Sequence, residues 1–593
     1  MKDFIKFTFA TVTGIIVSSV ILFFMSILIF FSMASSAESE TQIQDNSIMM
    51  LDLNGMLSER YQDNPLSTFL GEGYQTYGLE DILSSIQKAK NNEQIKGIYI
   101  QAGFLAAGYA SLEEIRNALK DFKTSGKFIV AYADTYTQGM YYLGSVADKV
   151  LLNPKGMVEW KGLAASPIFY KDLLEKIGVE MQIFKVGTYK SAVEPFIATE
   201  MSAANREQVN AYLHSIWQSI TDDVAESRGV STEALNKTAD RMIMFQPAEE
   251  SVKCGLVDTL IYKNDVRNYL KRMAAIDKDD YLPVVGLQEM INLKKTMPKD
   301  KSGNIIAVYY ANGEIVDNEM GTPSSLGYEE VINGTKVIKD LRALKDNDNV
   351  KAVVLRVNSP GGSAYASEQI WYAVSELKKE KPVIVSMGDY AASGGYYISC
   401  NADSIVAEPT TLTGSIGIFG MFPNVKELTD KLGLKFDVVK TNEYADFGSI
   451  NRPMNSGEKG LLQHYINQGY DLFLTRCAEG RGIDKNDLDK IAQGRVWSGS
   501  MAKELGLVDE LGGIDKALEI AIDKAGVESY SIKGYPQKET FFQMLMNTRP
   551  DNYIKSYLLH GKFGELYKQV NLIDRFEQYN RIQTRLPFEL NIQ

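Results

Sequence analysis

Val353-Val354-Leu355-Arg356-Val357-Asn358-Ser359-Pro360-Gly361-Gly362-Ser363 opens on a β-branched apolar run and closes on a proline-glycine turn. A short apolar run bounded in this way has the pattern of a buried strand. Val383-Ile384-Val385 repeats it, and between the two Ile370, Val374 and Leu377 recur at helical spacing within 366–379. Strand, helix and strand in that order predict an α/β fold with mostly parallel pairing. Upstream, Val209, Tyr212, Leu213, Ile216, Trp217, Ile220 and Val224 mark one face of a long helix, which reads as core packing.

The pattern occurs twice. With the chain shifted against itself by about 255 residues, Ile95-Lys96-Gly97-Ile98-Tyr99-Ile100 falls on Val350-Lys351-Ala352-Val353-Val354-Leu355. Tyr141-Tyr142 falls on Tyr396-Tyr397, and Gly255-Leu256-Val257-Asp258 on Gly506-Leu507-Val508-Asp509. Because the matches keep their order, the body reads as two homologous domains, 47–290 and 303–530, joined near Lys294 to Gly303. A tail, 531–593, follows, amphipathic from Glu539 onward and without a counterpart in the first repeat.

Composition narrows the chemistry. The 593 residues carry 63 Lys+Arg against 75 Asp+Glu, a net charge of −12, and supply no basic stripe for nucleic acid. Cys254, Cys400 and Cys477 are far apart and without CxxC spacing, which excludes a disulfide framework or zinc knuckle. With only His214, His464 and His560 besides, neither a metal nor another cofactor is expected.

From Phe7 to Met33 no residue is charged, while Lys2 and Lys6 precede the run. At ~1.5 Å per helical residue it exceeds the ~30 Å of a bilayer core, so residues 1–46 read as a cytoplasmic N-terminus, a transmembrane anchor and a linker. A cleaved signal peptide is the competing reading, since small residues follow Met33, but its apolar region is usually only ~7–15 residues. The preceding lysines predict the N-terminus inside, 7–33 in membrane lipid, and the body outside with buried, free cysteines.

Two turns could carry catalysis. Asn358-Ser359-Pro360-Gly361-Gly362-Ser363 follows a strand, and glycines there let backbone N–H groups approach a bound oxyanion. Gly388-Asp389-Tyr390-Ala391-Ala392-Ser393-Gly394-Gly395-Tyr396 also follows a strand and could hold a serine exposed. A serine needs a base. His464 shares the repeat but sits on a helix beside Tyr465 and reads as a surface or packing residue. A lysine can serve if burial depresses its pKa, and Gly187-Thr188-Tyr189-Lys190-Ser191-Ala192-Val193 offers Lys190 among small and apolar residues. Spacing alone would leave Lys190 a surface residue; the duplication changes that. Ser393 falls opposite Gln138 and Lys190 opposite Ala445, so each repeat holds what the other lacks. Complementary loss is what one active site assembled from both halves would show.

At these residues the chain resembles the signal peptide peptidase A family in its long, duplicated, membrane-anchored form. The resemblance rests on 189–196, 358–363, 391–397, Thr413-Gly414-Ser415-Ile416-Gly417 and the tail Thr584-Arg585-Leu586-Pro587, with no departure at the site positions. It implies two tandem ClpP/crotonase-like domains and a Ser-Lys dyad peptidase that degrades signal peptides left in the membrane. It also implies a bowl-shaped homotetramer on the periplasmic side of a bacterial inner membrane. Carried over, Ser393 is the nucleophile, Lys190 the general base, Gly394 and either Gly361 or Gly362 the oxyanion donors, and Ser415 the serine that orients the lysine. Two other classes fit the same turns: an acyl-CoA enzyme acting on thioesters, and an inactive membrane scaffold.

Overall fold

The computed structural model describes residues 2–36, 43–61, 75–293, 302–317, 331–538 and 582–585, with only part of the side chains of the first segment. Each repeat is built on one largely parallel sheet. In the first, Thr76–Gly78, Ser47–Ser58, Ile95–Ala106, Phe128–Tyr136, Lys149–Val158 and Thr259–Leu260 lie side by side, with Val284–Gly286 also against Ser47–Ser58. In the second, Ser531–Tyr535, Ile305–Asn312, Val350–Ser359, Val383–Ala392 and Ser404–Ala407 run parallel. The strand expected at 353–357 thus spans Val350–Ser359, and the expected helix is Ala364–Lys378.

Helices cover both faces of each sheet, which is why these strands read as continuous apolar runs instead of alternating ones. Ile98 and Ile100 enter one core while Tyr99 enters another. In the second repeat Val353 and Leu355 part from Val354 in the same way. The long helix read from the Tyr/Trp stripe is Ala203–Arg228, with Val209, Tyr212, Ile216, Ile220 and Val224 buried.

The duplication extends to individual hydrogen bonds. Tyr141 donates its hydroxyl to the Leu256 carbonyl at 2.9 Å, and Tyr396 donates to the Leu507 carbonyl at 2.9 Å. Asp148 accepts from the Ile129 N–H as Asp403 does from Val383, each at the start of a strand.

A third sheet joins the repeats, and nothing in the sequence pattern announces it. Glu180–Lys185 of the first repeat pairs antiparallel with Phe419–Asn424 of the second. Beyond that strand the sheet continues through Ile582–Arg585, Gly361–Ser363, Glu314–Val316 and Val331–Asn333.

The N-terminal segment is a helix, Lys2–Ser36. Among the described residues no helix is long and apolar enough to cross a membrane; the described side chains of this one include exposed Phe7, Phe9, Ile15 and Ile16. The linker 294–301 and most of the tail lie outside the described residues. Cys400 and Cys477 are buried, but Cys254 is only half-buried, so the expectation of buried cysteines fails there.

Candidate active site

Ser393 sits where the strand Val383–Ala392 turns into the helix Gly394–Ser399. Its backbone is at φ 55° and ψ −113°, a conformation that costs a non-glycine residue about 1–3 kcal/mol. Two hydrogen bonds hold it there. The Ser393 N–H donates to the Gly414 carbonyl at 2.8 Å, and the Tyr397 N–H donates to the Ser393 carbonyl at 2.8 Å. Small neighbours permit this: a side chain on Gly395 would press on the Ser359 carbonyl.

Lys190 arrives from the first repeat in the loop after Glu180–Lys185, so the strand pairing between repeats sets its position. Its Nζ lies 2.7 Å from Ser393 Oγ, 3.0 Å from Ser415 Oγ and 3.0 Å from the Ser415 carbonyl oxygen. Lys190, Ser393 and Ser415 are all fully buried. Burial alone pushes the Lys190 pKa well below the usual lysine range. A neutral amine has two N–H bonds and one lone pair. Donating to the two Ser415 oxygens leaves the lone pair for the Ser393 proton.

Several residues that hold Lys190 escaped the sequence reading. Gly494, at φ 79°, is needed because a Cβ there would lie 2.6 Å from the Lys190 backbone N. A Cβ on Gly417 would approach Lys190 Cδ to 3.2 Å. The Gln493 carbonyl accepts from the Tyr189 N–H at 2.9 Å. Behind the loop, Gln208 donates to Ser191 Oγ and accepts from the Val496 N–H, tying the lysine loop to the second repeat. No local spacing signals these contacts.

The two glycines of the proline turn face different ways. A Cβ on Gly361 would lie 2.9 Å from the Gly394 N, whereas one on Gly362 would strike the Ile315 backbone. Gly361 (φ 106°) therefore lies beside the Ser393–Gly394 turn. Its N–H donates to Ser359 Oγ at 3.2 Å. Ile582–Arg585 runs antiparallel to both Gly361–Ser363 and Phe419–Gly420, and Thr584 is fully buried against the turn.

A buried ionic cluster braces the catalytic strands from the first repeat. Arg356, two residues before Asn358, bonds Glu59 at 2.9 Å and also Glu114. Asp389, four residues before Ser393, accepts from the Ser111 N–H at 3.0 Å and hydroxyl at 2.8 Å. Glu113 accepts from the Thr410 hydroxyl at 2.6 Å, and burial raises its pKa to about 8. Of the other sequence candidates, His464 is exposed and contacts Gln468, and Gln138 is engaged by the Lys161 and Gly162 N–H groups.

Comparison with known proteins gives the family. The Peptidase family S49 profile matches residues 121–277 and 375–528, once in each repeat. The chain belongs to peptidase family S49. The Clp protease family profile matches 329–409, the stretch holding Gly361 and Ser393. Among S49 relatives, Protease 4 of Haemophilus influenzae is 33% identical over 95% of this chain and 95% of its own. Protease 4 of Salmonella typhi is 36% identical over 84% of this chain and 82% of its own. The chloroplastic serine protease SPPA of Arabidopsis thaliana is 31% identical over 82% and 70%. This S49 member is accordingly a serine protease of the SppA type, with an α/β fold carrying two S49 domains.

Proposed function

We propose that the protein is a membrane-anchored endopeptidase in which Ser393 and Lys190 form a Ser-Lys dyad, and that it degrades cleaved signal peptides. The observation that carries this reading is the 2.7 Å approach of a fully buried lysine, with no counter-ion among its hydrogen-bond partners, to a serine of the opposite repeat. Neutral Lys190 takes the Ser393 proton as Oγ attacks the peptide carbonyl. The N–H group of Gly394 and one from the Gly361–Gly362 turn receive the oxyanion. Lys190 then hands the proton to the leaving amine and activates the water that hydrolyses the acyl-enzyme. Ser415 aims the amine through its two oxygens.

An extended peptide that displaces Ile582–Arg585 would pair with Gly361–Ser363 and Phe419–Gly420, as that strand does. Main-chain pairing of that kind recognises any extended chain, which suits varied apolar signal-peptide cores. Residues 7–33 anchor the chain in the inner membrane with the body on the periplasmic side, and four copies assemble. Support for the anchor comes from the uncharged run, the flanking lysines and the exposed apolar side chains of the helix.

The deciding experiment compares wild type with Ser393→Ala and Lys190→Ala on a synthetic signal peptide, with a fluorophosphonate probe reporting the serine. Both variants should lose turnover by at least about 10⁴-fold while folding normally. Cleavage retained in the Lys190→Ala protein and lost in His464→Ala would overturn the dyad. Thioester turnover without fluorophosphonate labelling of Ser393 and without peptide cleavage would favour the acyl-CoA class.

A further inference from the structure

The segment 408–415 runs from the junction between the repeats to the residues around Ser393. At its far end the Gly414 carbonyl accepts from the Ser393 N–H at 2.8 Å, and both Ser415 oxygens hold Lys190 Nζ. At its near end it meets the first-repeat helix Tyr109–Lys123. There Thr410 donates its N–H and hydroxyl to one oxygen of Glu113, at 3.3 and 2.6 Å, and Asn117 donates to Glu408 at 3.3 Å. Between the ends, the Thr411 hydroxyl donates to the Gly388 carbonyl and the Thr413 hydroxyl to the Ala391 carbonyl. The segment is thus tied along its length to the strand that leads to Ser393.

Charge at the near end is out of balance. Glu113 and Glu408 are 4% and 1% exposed. The nearby cations are held elsewhere: Arg356 by Glu59 and Glu114, Arg116 and Lys120 by Asp223. Facing Glu113 are Asp223 of the helix Ala203–Arg228, Tyr142, and its own neighbour Glu114. Facing Glu408 are Glu113 and Glu114, with Arg356 the one cation that acts on it. Burial above all, with the neighbouring carboxylates adding to it, raises the pKa of both glutamates. The second repeat shows the ordinary solution. At the offset of the duplication Glu113 falls on Glu368 and Asp223 on Arg476. Glu368 pairs with Arg476 at 2.8 Å and keeps 22% of its side chain exposed. The first repeat has a carboxylate where the second has the balancing arginine, so its glutamate is buried against like charge.

We infer that Glu113 and Glu408 form a proton-holding clamp whose neutral form positions segment 408–415, and through Ser415 the amine of Lys190, and which opens when the protons leave. The inference rests on the dyad proposed above and names what sets its alkaline limit. A neutral carboxyl still accepts from Thr410 or Asn117 through its carbonyl oxygen and adds no charge to the junction. Ionised, Glu113 repels Asp223, Glu114 and Glu408 in a site that water does not reach. Because Glu408 and Thr410 belong to the second repeat, the displacement falls on the segment that ends at Ser415. Activity therefore rises as Lys190 loses its proton and falls as the clamp loses its own. Glu113 touches no substrate and is a positioning residue. Stability carries the same signature. Unfolded glutamates ionise near about pH 4.3 and the folded pair only at higher pH. Across that window the unfolded state binds fewer protons, so the clamp's contribution to stability falls as pH rises.

The test compares the full-length wild type in detergent with Glu113→Gln, whose amide oxygen accepts the Thr410 bonds but cannot ionise. With each protein normalised to its own maximum, the alkaline limb of kcat/KM should move up by about one pH unit or more. Glu113→Ala should lose kcat at least about tenfold with KM little changed, and the glutamine should restore most of it. A second readout is independent of peptidase activity. In the Lys190→Ala background, Glu113→Gln should gain at least about 2 °C in Tm over its parent on going from pH 5 to pH 8. Should Lys190→Ala retain cleavage, the dyad fails and the Tm comparison decides the clamp alone. A Tm gain without movement of the alkaline limb overturns the positioning role. An equal pH dependence of Tm in both proteins, or a wild type with no alkaline limb up to pH 10, overturns the clamp.

Discussion

In the proposed dyad Lys190 can act as a base only because it is buried, and the same burial should be visible in stability. Its folded pKa lies below the value in the unfolded chain, so between the two the unfolded state binds the extra proton. Stability therefore rises with pH across that window, and the cost of the buried amine disappears above the unfolded pKa, near 10.4. Lys190→Met should abolish activity yet raise Tm at pH 7, because at that pH folding of the wild type must release the lysine proton. Scanning calorimetry of the two proteins should converge towards pH 11. In the wild type kcat/KM should rise with pH through the folded pKa, and full activity at pH 5 would count against the base. Ser415→Ala removes one of two acceptors for the amine and leaves the carbonyl, so kcat should fall about tenfold to a hundredfold with KM little changed. The meeting of Lys190 with Ser393 was legible in the sequence because each residue stands where the other repeat has lost it. Gly494 and Gln493 were not, since what they do depends on a backbone some 300 residues away.

Elements show the same division. The strands and helices of each repeat followed from periodicity, because a strand covered on both faces must be apolar throughout. The sheet between the repeats stayed hidden, as did the Arg356 cluster, whose partner Glu59 is separated by 297 residues. That cluster should behave as a buried ion pair. Arg356→Met strands Glu59 and Glu114 without a cation and should cost about 3–5 kcal/mol. Adding Glu59→Gln and Glu114→Gln should recover much of the loss in urea titrations, which a purely packing role for the arginine would not allow. The strand Ile582–Arg585 gives a second expectation at this scale. Its removal exposes the edges of Gly361–Ser363 and Phe419–Gly420. A chain ending before Ile582 should therefore bind short peptides more tightly, lowering KM about tenfold. An unchanged KM with a lower Tm would make the strand a structural plug instead.

For the whole molecule, the proposed catalytic pair depends on two domains that are joined by a chain but held by packing. Glu180–Lys185 against Phe419–Asn424, Gln208 against Val496 and Arg356 between Glu59 and Glu114 all cross from one repeat to the other. None of these contacts passes through the linker 294–301. A chain cut there should consequently still assemble its site. Halves ending and starting within the linker, produced separately, should each lack peptidase activity: one has the lysine without the serine, the other the serine without the lysine. Produced together they should co-purify and recover most of the wild-type kcat, with fluorophosphonate labelling confined to the C-terminal half. Labelling should vanish when the N-terminal half carries Lys190→Ala, because a serine without a base is a poor nucleophile at neutral pH. An active C-terminal half on its own would break the argument at its root, since the duplication would then have preserved a complete site in one repeat.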